Sequence, residues 1–140
     1  MRIPRIVIAG ATSGVGKTSI TCSIIHSLQK HGFSVQPFKV GPDYIDPGYL
    51  SSISKHETYN LDVWLMGKNQ LLNSFISNSQ SDVSVIEGVM GYYDGFGGDS
   101  NHASTHHVAS LTKSPVLLVL DASKTSRSIA ATALGFVKFH

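Results

Sequence analysis

A glycine-rich segment near the amino terminus, "GATSGVGKTS" (residues 10–19), constrains the fold of this chain more than any other feature. Residues 11–18 have the spacing of a P-loop, with Ala11 where the first glycine usually stands. The segment follows the short apolar run "RIVIAG" and leads into a helix-like stretch, which is the context that the motif requires. The sequence therefore predicts a phosphate-binding loop between a buried strand and a helix.

The residue types in this loop suit a phosphate ligand. Gly14 and Gly16 allow backbone N–H groups to turn inward around phosphate oxygens, and the start of the following helix attracts an anion. Lys17 can reach the terminal phosphates, and the Thr18 hydroxyl can bind Mg²⁺. We therefore expect ATP and Mg²⁺ as cofactors. The expected nucleotide contacts are Ser13, Gly14, Val15, Gly16, Lys17, Thr18 and Ser19.

Apolar runs alternate with helix-like stretches along the rest of the chain. Strand patterns fall at residues 5–10, 34–38, 84–88 and 115–122, and helix patterns at 17–32, 69–77, 101–113 and 125–139. This order, together with the loop motif, predicts an α/β fold of the P-loop NTPase type, a parallel sheet with helices on both faces. Because proline disrupts a ladder, we expect Pro37 to lie near a sheet edge or a strand end.

Composition excludes several classes of protein. The chain has 140 residues, of which 41% are apolar and 14% charged, so we expect one globular domain. Its net charge is +2 without a basic run, which argues against nucleic acid as a partner. No stretch is long enough to span a membrane, the start lacks a signal peptide's apolar run, and we expect a cytoplasmic location. The single cysteine, Cys22, is expected to be a packed helix thiol rather than a nucleophile.

Carboxylates follow the later strand patterns, at the edge where doubly wound sheets bind ligands. Asp43 and Glu87 are the best candidates to join Thr18 around Mg²⁺, which prefers hard oxygen ligands. Asp46 either begins a turn or joins the site. Asp121 either caps a helix or holds a ligand-binding residue in place without contacting the ligand itself.

The segment "EGVMGYYDGFGGDS" (residues 87–100) is a second glycine-rich loop. Its aromatic side chains suit a mobile wall over a planar or bulky ligand, although a flexible surface loop has the same composition. Three histidines follow on one helix-like stretch without a cysteine or acid at ligand spacing. We therefore expect surface or helix roles, rather than a metal site, for His102, His106 and His107.

Six segments, taken in order, resemble the amino-terminal part of the cobyrinate a,c-diamide synthases: "GATSGVGKTS", "VQPFKVGPDYIDPGY", "NLDVWL", "VIEGVMGYYDG", "STHHVA" and "VLLVLDASKTSRS". The blocks "KVGPDYIDPGY" and "EGVMGYYDG" are more specific to this group than the P-loop is. The resemblance implies a fold similar to that of dethiobiotin synthetases and the activity of a C–N bond-forming ligase of cobalamin biosynthesis. Such an enzyme uses ATP to convert the c and then the a acetate side chain of a corrinoid to amides, with glutamine or ammonia as nitrogen donor.

The resemblance also implies roles for single residues. Asp43 and Glu87 match positions linked to Mg²⁺ and ATP, and Lys39 matches a lysine near the reacting carboxylate of dethiobiotin synthetases. The implied catalytic set is Lys17, Lys39, Asp43, Glu87 and Asp94, and the implied substrate contacts are Tyr44, Ser104 and Thr105. The implied partners are a corrinoid or related tetrapyrrole polycarboxylate and a glutaminase domain that is normally in the same chain. A homodimer is also compatible with the resemblance.

The chain departs from the family pattern at several points. Gly10-Ala11 stands where members usually have Gly-Thr, and Lys124 replaces a residue that is often glycine. The carboxyl-terminal glutaminase domain has no counterpart in residues 1–140, so we expect these residues to form only part of the amidoligase. The alternatives are a dethiobiotin synthetase-like ligase, amidation of a nickel tetrapyrrole, a non-catalytic remnant and a partition-type ATPase. The signature lysine of the last class is missing near Ala11.

Overall fold

A computed structural model describes residues 3–139 of the chain as a parallel five-stranded sheet with helices around it. The elements are β1 (Arg5–Gly10), α1 (Lys17–Lys30), β2 (Val35–Val40), α2 (Asp46–Ser54), β3 (Tyr59–Leu61), α3 (Val63–Asn78), β4 (Val83–Glu87), α4 (Thr105–Thr112), β5 (Val116–Val119) and α5 (Ile129–Lys138). The strand order is β3-β2-β4-β1-β5, and each neighbouring pair is parallel. The predicted α/β class is confirmed.

Side chains alternate between the two faces of the sheet and form a core on each. On one face, Val7 belongs to a cluster with Phe75 of α3. On the other face, Ile8 belongs to a cluster with Ile25 of α1 and Leu50 of α2. Helices therefore cover both faces, as the near-continuous apolar strands require. In the part of the chain that the structure describes, α5 has no buried residue.

The prediction that Pro37 lies near a sheet edge or strand end is wrong. Pro37 is the third residue of β2, an interior strand, and it pairs with Val85 of β4. Pairing of β2 with β3 begins one residue later, at Phe38. The Pro37 carbonyl accepts a hydrogen bond from Gln36 Nε2 at 3.0 Å, and this amide also donates to Glu57 O at 2.7 Å. Because the β3 side of Pro37 lies before the ladder starts, the missing N–H interrupts no strand pairing.

Three elements differ from the sequence pattern. The strand β3 has only three residues, and the helix α2 before it forms from a loop-like sequence, so neither was predicted. The helix α3 begins at Val63 rather than at residue 69, with a break at Gly67, where φ is +71°. Of the two roles considered for Asp121, capping of α5 is not observed, and support of the ligand residues stays a prediction. Its Oδ1 accepts from the Ser123 N–H at 2.8 Å, whereas α5 begins at Ile129.

The fold brings three chain segments to one edge of the sheet. The strands β1, β2 and β4 are neighbours and parallel, so their carboxyl ends at Gly10, Val40 and Glu87 lie side by side. The predicted phosphate loop and both predicted metal carboxylates follow these ends. None of the helices in residues 3–139 has the length and apolar character needed to cross a membrane.

Candidate functional site

The phosphate loop has the backbone that the motif requires. Gly14 and Gly16 have φ values of +75° and +95°, which a residue with a side chain rarely adopts. A Cβ on Gly10 would lie 2.6 Å from Val15 Cγ1, so the loop folds tightly over the end of β1. Among the described residues, no side chain caps the amino terminus of α1, which begins at Lys17. Its first N–H groups are therefore available to an anion.

Lys17 is held by main-chain oxygens. Its Nζ donates to Met90 O at 2.7 Å and to Thr12 O at 3.3 Å. Burial, together with the positive charge of Lys39, lowers the pKa of Lys17 below its ordinary value. Met90 has a φ of +49°, in the left-handed region that non-glycine residues seldom occupy. In a P-loop, the lysine ammonium group binds phosphate oxygens. Here the loop after β4 places the Met90 carbonyl oxygen at that ammonium group.

Lys39 contacts three carboxylates at the end of β2. Its Nζ lies 2.7 Å from Asp46 Oδ2, 2.9 Å from Glu87 Oε1 and 3.8 Å from Asp43 Oδ2. Burial alone would lower the pKa of Lys39, but the Glu87 and Asp46 carboxylates raise it above its ordinary value. Lys39 is therefore a buried lysine between β2 and β4 whose protonated form these carboxylates stabilise.

Glu87 ends β4 and is completely buried. Its Oε1 accepts from Thr18 Oγ1 at 2.7 Å and from Lys39 Nζ at 2.9 Å. Within residues 3–139, its Oε2 is buried without a hydrogen-bond partner. Burial raises the pKa of Glu87, and the contacts with Lys39 and Thr18 offset this rise only in part. The unpartnered Oε2 of Glu87 and the nearby Thr18 hydroxyl are both hard oxygen donors, the type of ligand that Mg²⁺ prefers.

Asp43 and Asp46 have different roles: Asp43 stabilises the turn after β2, and Asp46 pairs with Lys39. Asp43 Oδ1 accepts from the backbone N–H groups of Ile45, at 2.8 Å, and Asp46, at 3.1 Å. Burial would raise the pKa of Asp43, but these two donors hold it below its ordinary value. Asp43 thus makes the turn contacts that were considered for Asp46, and Asp46 makes the shortest contact with Lys39. Asn60 was missed altogether, although its Nδ2 donates to Asp43 O at 2.8 Å.

A cleft of about 360 Å³ joins these groups. Most of the predicted nucleotide, metal and catalytic residues line it: Ser13, Gly14, Gly16, Lys17, Thr18, Ser19, Lys39, Asp43 and Glu87. Asp46, for which a site role was one of two alternatives, lines it as well, as do Val89 and Met90, which were not predicted. Asp94 instead borders an adjacent, mainly apolar cleft of about 310 Å³ beside Ala11 and α5. Its Oδ2 accepts from the Gly91 N–H at 2.8 Å.

The predicted substrate contacts fall into two groups. Tyr44 is 90% exposed and, with the exposed Ile45, lines a separate pocket that shares Asp43 and Val89 with the polar cleft. Ser104 and Thr105 are fully buried. The Ser104 hydroxyl donates to Asn101 O at 2.7 Å and caps α4, and the Thr105 hydroxyl contacts the backbone of Val89. A substrate role for these two hydroxyls stays a prediction.

Apolar side chains are exposed along the same edge of the sheet. Trp64, at the start of α3, stacks on Phe96 of the 87–100 loop with ring centroids 5.9 Å apart. Both rings are more than half exposed, as is Met90 at the cleft itself. Trp64 and Phe96 do not line the polar cleft itself, so the role of the glycine-rich loop as a wall over a ligand stays a prediction.

The histidines and the cysteine lie outside the cleft. The Nδ1 of His107 accepts from the Ala103 N–H at 3.1 Å, and the rings of His107 and His102 lie 5.4 Å apart. Across the described range, no three histidine, cysteine, aspartate or glutamate side chains form a group that could hold a metal ion. Cys22 is partly buried against α1 neighbours, and burial raises the pKa of its thiol.

Comparison with known proteins identifies the family of the chain. A profile of the CobQ/CobB/MinD/ParA nucleotide-binding domain (CbiA) matches residues 6–139. The chain is 48% identical over 137 residues to a cobyrinate a,c-diamide synthase of Listeria innocua, which covers 96% of this chain and 30% of that protein. It is 46% identical over 138 residues to a hydrogenobyrinate a,c-diamide synthase of Streptomyces coelicolor, covering 98% of this chain and 28% of the relative.

A third relative shows a similar identity. The cobyrinate a,c-diamide synthase of Thermoplasma volcanium is 44% identical over 140 residues, covering 99% of this chain and 31% of the relative. The chain thus spans about 30% of the length of the curated relatives it matches. With its phosphate loop and strand-end carboxylates, the chain belongs to the CobQ/CobB/MinD/ParA nucleotide-binding domain family, where its relatives are the cobyrinate a,c-diamide synthases.

Proposed function

We propose that this chain carries out the ATP-dependent step in the amidation of corrinoid acetate side chains, with cobyrinic acid as the acceptor. The observation that carries the proposal is the position of Lys39. It is buried between Glu87, which bonds Thr18 of the phosphate loop, and Asp46, which follows the exposed Tyr44. A buried positive charge therefore lines the phosphate cleft, between Glu87 and the loop that carries Tyr44. Two anions must meet at such a point if a carboxylate is to be phosphorylated.

The chemistry requires activation because hydroxide is a poor leaving group from a carboxylate. Attack of a carboxylate oxygen on the γ-phosphorus of ATP breaks the bond to ADP and forms an acyl phosphate. Ammonia then attacks the acyl carbon, the phosphate leaves with the original carboxylate oxygen, and the amide nitrogen loses a proton. The reaction needs no protein nucleophile, so catalysis consists of positioning and charge neutralisation.

Each site residue has a proposed part in this reaction. Lys17 would exchange its carbonyl partners for phosphate oxygens, and Lys39 would neutralise the approaching carboxylate. Thr18, Asp43 and Glu87 would hold Mg²⁺, which neutralises phosphate charge when it is bound. The orphaned Oε2 of Glu87 supports this assignment within the described residues.

The remaining assignments concern the acceptor and the nitrogen donor. The exposed Tyr44 and the stacked pair of Trp64 and Phe96 would contact the face of a large, flat acceptor. Asp94 would orient ammonia or the acceptor carboxylate from the neighbouring cleft. We place the glutaminase reaction outside residues 1–140, so free ammonia is the nitrogen donor with which to test this chain.

The test is amide formation measured by mass spectrometry. The chain is incubated with ATP, Mg²⁺, an ammonium salt and cobyrinic acid, and parallel reactions contain a nickel tetrapyrrole, or diaminopelargonate with bicarbonate. We expect conversion of carboxylate to amide on the corrinoid. The variant Lys39→Met should lose it, whereas Lys124→Met, which changes an exposed lysine, should retain it. Absence of amidated corrinoid, or product only with diaminopelargonate, would contradict the proposal.

A further inference from the structure

Thr105 connects α4 to the loop that follows β4. Its hydroxyl accepts from the Val89 N–H at 2.9 Å and donates to the Val89 carbonyl oxygen at 3.0 Å. Because β4 ends at Glu87, Val89 has left the strand, and one side chain now satisfies both of its peptide groups. Thr105 is fully buried, so these contacts are shielded from water.

The neighbouring Gly88 shows how closely Thr105 is packed. A Cβ on Gly88 would lie 2.7 Å from Thr105 Cγ2 and 3.0 Å from the carbonyl oxygen of Ile8. The Gly88 N–H donates to that same Ile8 carbonyl at 2.8 Å. The backbone at Gly88 is therefore closely packed between β1 and the start of α4.

The far end of this segment meets the phosphate cleft. Val89 and Met90 both line the cleft, and Met90 O accepts from Lys17 Nζ at 2.7 Å. Two residues later, Tyr92 makes two further backbone hydrogen bonds. Its N–H donates to Gly10 O at 2.8 Å, and its carbonyl oxygen accepts from the His106 N–H at 2.9 Å. The start of α4 thus fixes the segment on both sides of Met90.

We propose that Thr105 is a positioning residue that sets residues 87–90 against the terminal phosphate of the nucleotide, so that the site prefers ATP to ADP. The segment carries Glu87 at one end and the partner of Lys17 at the other, and a P-loop lysine reaches the β and γ phosphates. Complete burial favours this indirect role over direct contact of Thr105 with substrate. The inference rests on the nucleotide site of the proposed function, but not on the identity of the acceptor.

The experiment compares three threonine variants of the whole chain. Thr105→Val keeps the shape but removes the hydroxyl, and Thr105→Ser keeps the hydroxyl. The matched control is Thr112→Val, because Thr112 lies on the same helix, is buried, and donates to Val108 O at 2.8 Å without contacting the loop. Calorimetry gives the dissociation constants for a non-hydrolysable ATP analogue and for ADP, each with Mg²⁺.

We expect Thr105→Val to weaken binding of the ATP analogue about ten-fold relative to ADP, the scale set by losing a buried hydrogen-bond partner. Thr105→Ser and Thr112→Val should keep the wild-type ratio. If Thr105→Val does not fold, Thr105→Ala removes the same oxygen without adding an atom and is measured in its place. An unchanged ratio in the variant that lacks the hydroxyl, or an equal change in Thr112→Val, would overturn the inference alone. Failure of the wild-type chain to bind either nucleotide would overturn the proposed function with it.

Discussion

The change Lys39→Met tests whether the charge network at the strand ends is part of the folded structure. The Lys39 side chain is 3% exposed and that of Glu87 is 0% exposed, so their contact at 2.9 Å is a buried ion pair. Removing one partner of such a pair costs about 3–5 kcal/mol, because the other charge stays buried without compensation. We expect a loss near the lower limit of this range, since Thr18 still donates to Glu87.

The sign of the pH dependence follows from Glu87. Burial already raises its pKa, and losing Lys39 removes the strongest opposing contact, so the folded-state pKa of Glu87 rises further. A carboxyl group with a raised folded-state pKa favours folding below its unfolded pKa and loses that contribution as the pH rises through the folded-state value. The stability deficit of the variant should therefore be larger at about pH 8 than at about pH 5.

The assay is urea unfolding followed by circular dichroism at both pH values. The control Lys124→Met, at an exposed loop position, should stay within about 0.5 kcal/mol of wild type. Adding Glu87→Gln to Lys39→Met should recover part of the loss, which a double-mutant cycle measures. A Lys39→Met variant within about 1 kcal/mol of wild type at both pH values, or a deficit that grows as the pH falls, would refute the reasoning.

Three further predictions address the site and the frame around it. Glu87→Gln alone should leave the unfolding free energy within about 1 kcal/mol of wild type, because Lys39 keeps Asp46 and Asp43 as partners and no buried charge is left unpaired. Mg²⁺-dependent ATP turnover should disappear in this variant, and retained turnover would exclude Glu87 as a metal ligand. Asp82→Asn should lower stability at neutral pH and match wild type in strong acid, as seen in urea melts. The Ser34 hydroxyl and N–H, each 2.7 Å from Asp82 Oδ2, hold the pKa of that carboxyl below its usual value, so its contribution is present above the unfolded pKa and lost as the pH falls through the folded-state value. Cys22 should react with iodoacetamide more slowly than an unstructured cysteine peptide at neutral pH, because burial raises the pKa of its thiol; equal rates would place Cys22 in a different environment.

Features with a local physical cause could be predicted from the sequence. The backbone of Gly14 and Gly16 follows from the loop motif, and β1 has the predicted bounds, Arg5–Gly10. The parallel sheet follows from alternating strand and helix patterns, because that order leaves few other topologies. The confirmed resemblance to cobyrinate a,c-diamide synthases depended on whole blocks of sequence around these elements.

Features that depend on distant parts of the chain could not be predicted. Pro37 is tolerated in an interior strand because β3 starts opposite the next residue, and no local pattern reveals where a three-residue strand begins. The division between Asp43 and Asp46 depends on how the turn closes over Lys39. The contact of Thr105 with Val89 joins residues sixteen positions apart, and a threonine at the start of a helix gives no sign of such a partner.

The fate of a carboxylate oxygen tests the central claim most directly. Cobyrinic acid labelled with ¹⁸O in its acetate carboxylates is incubated with the chain, ATP, Mg²⁺ and an ammonium salt, and inorganic phosphate is analysed by mass spectrometry. If the carboxylate at Lys39 is activated as an acyl phosphate, one labelled oxygen should appear in phosphate for each amide formed. Amide formation with unlabelled phosphate would contradict the account.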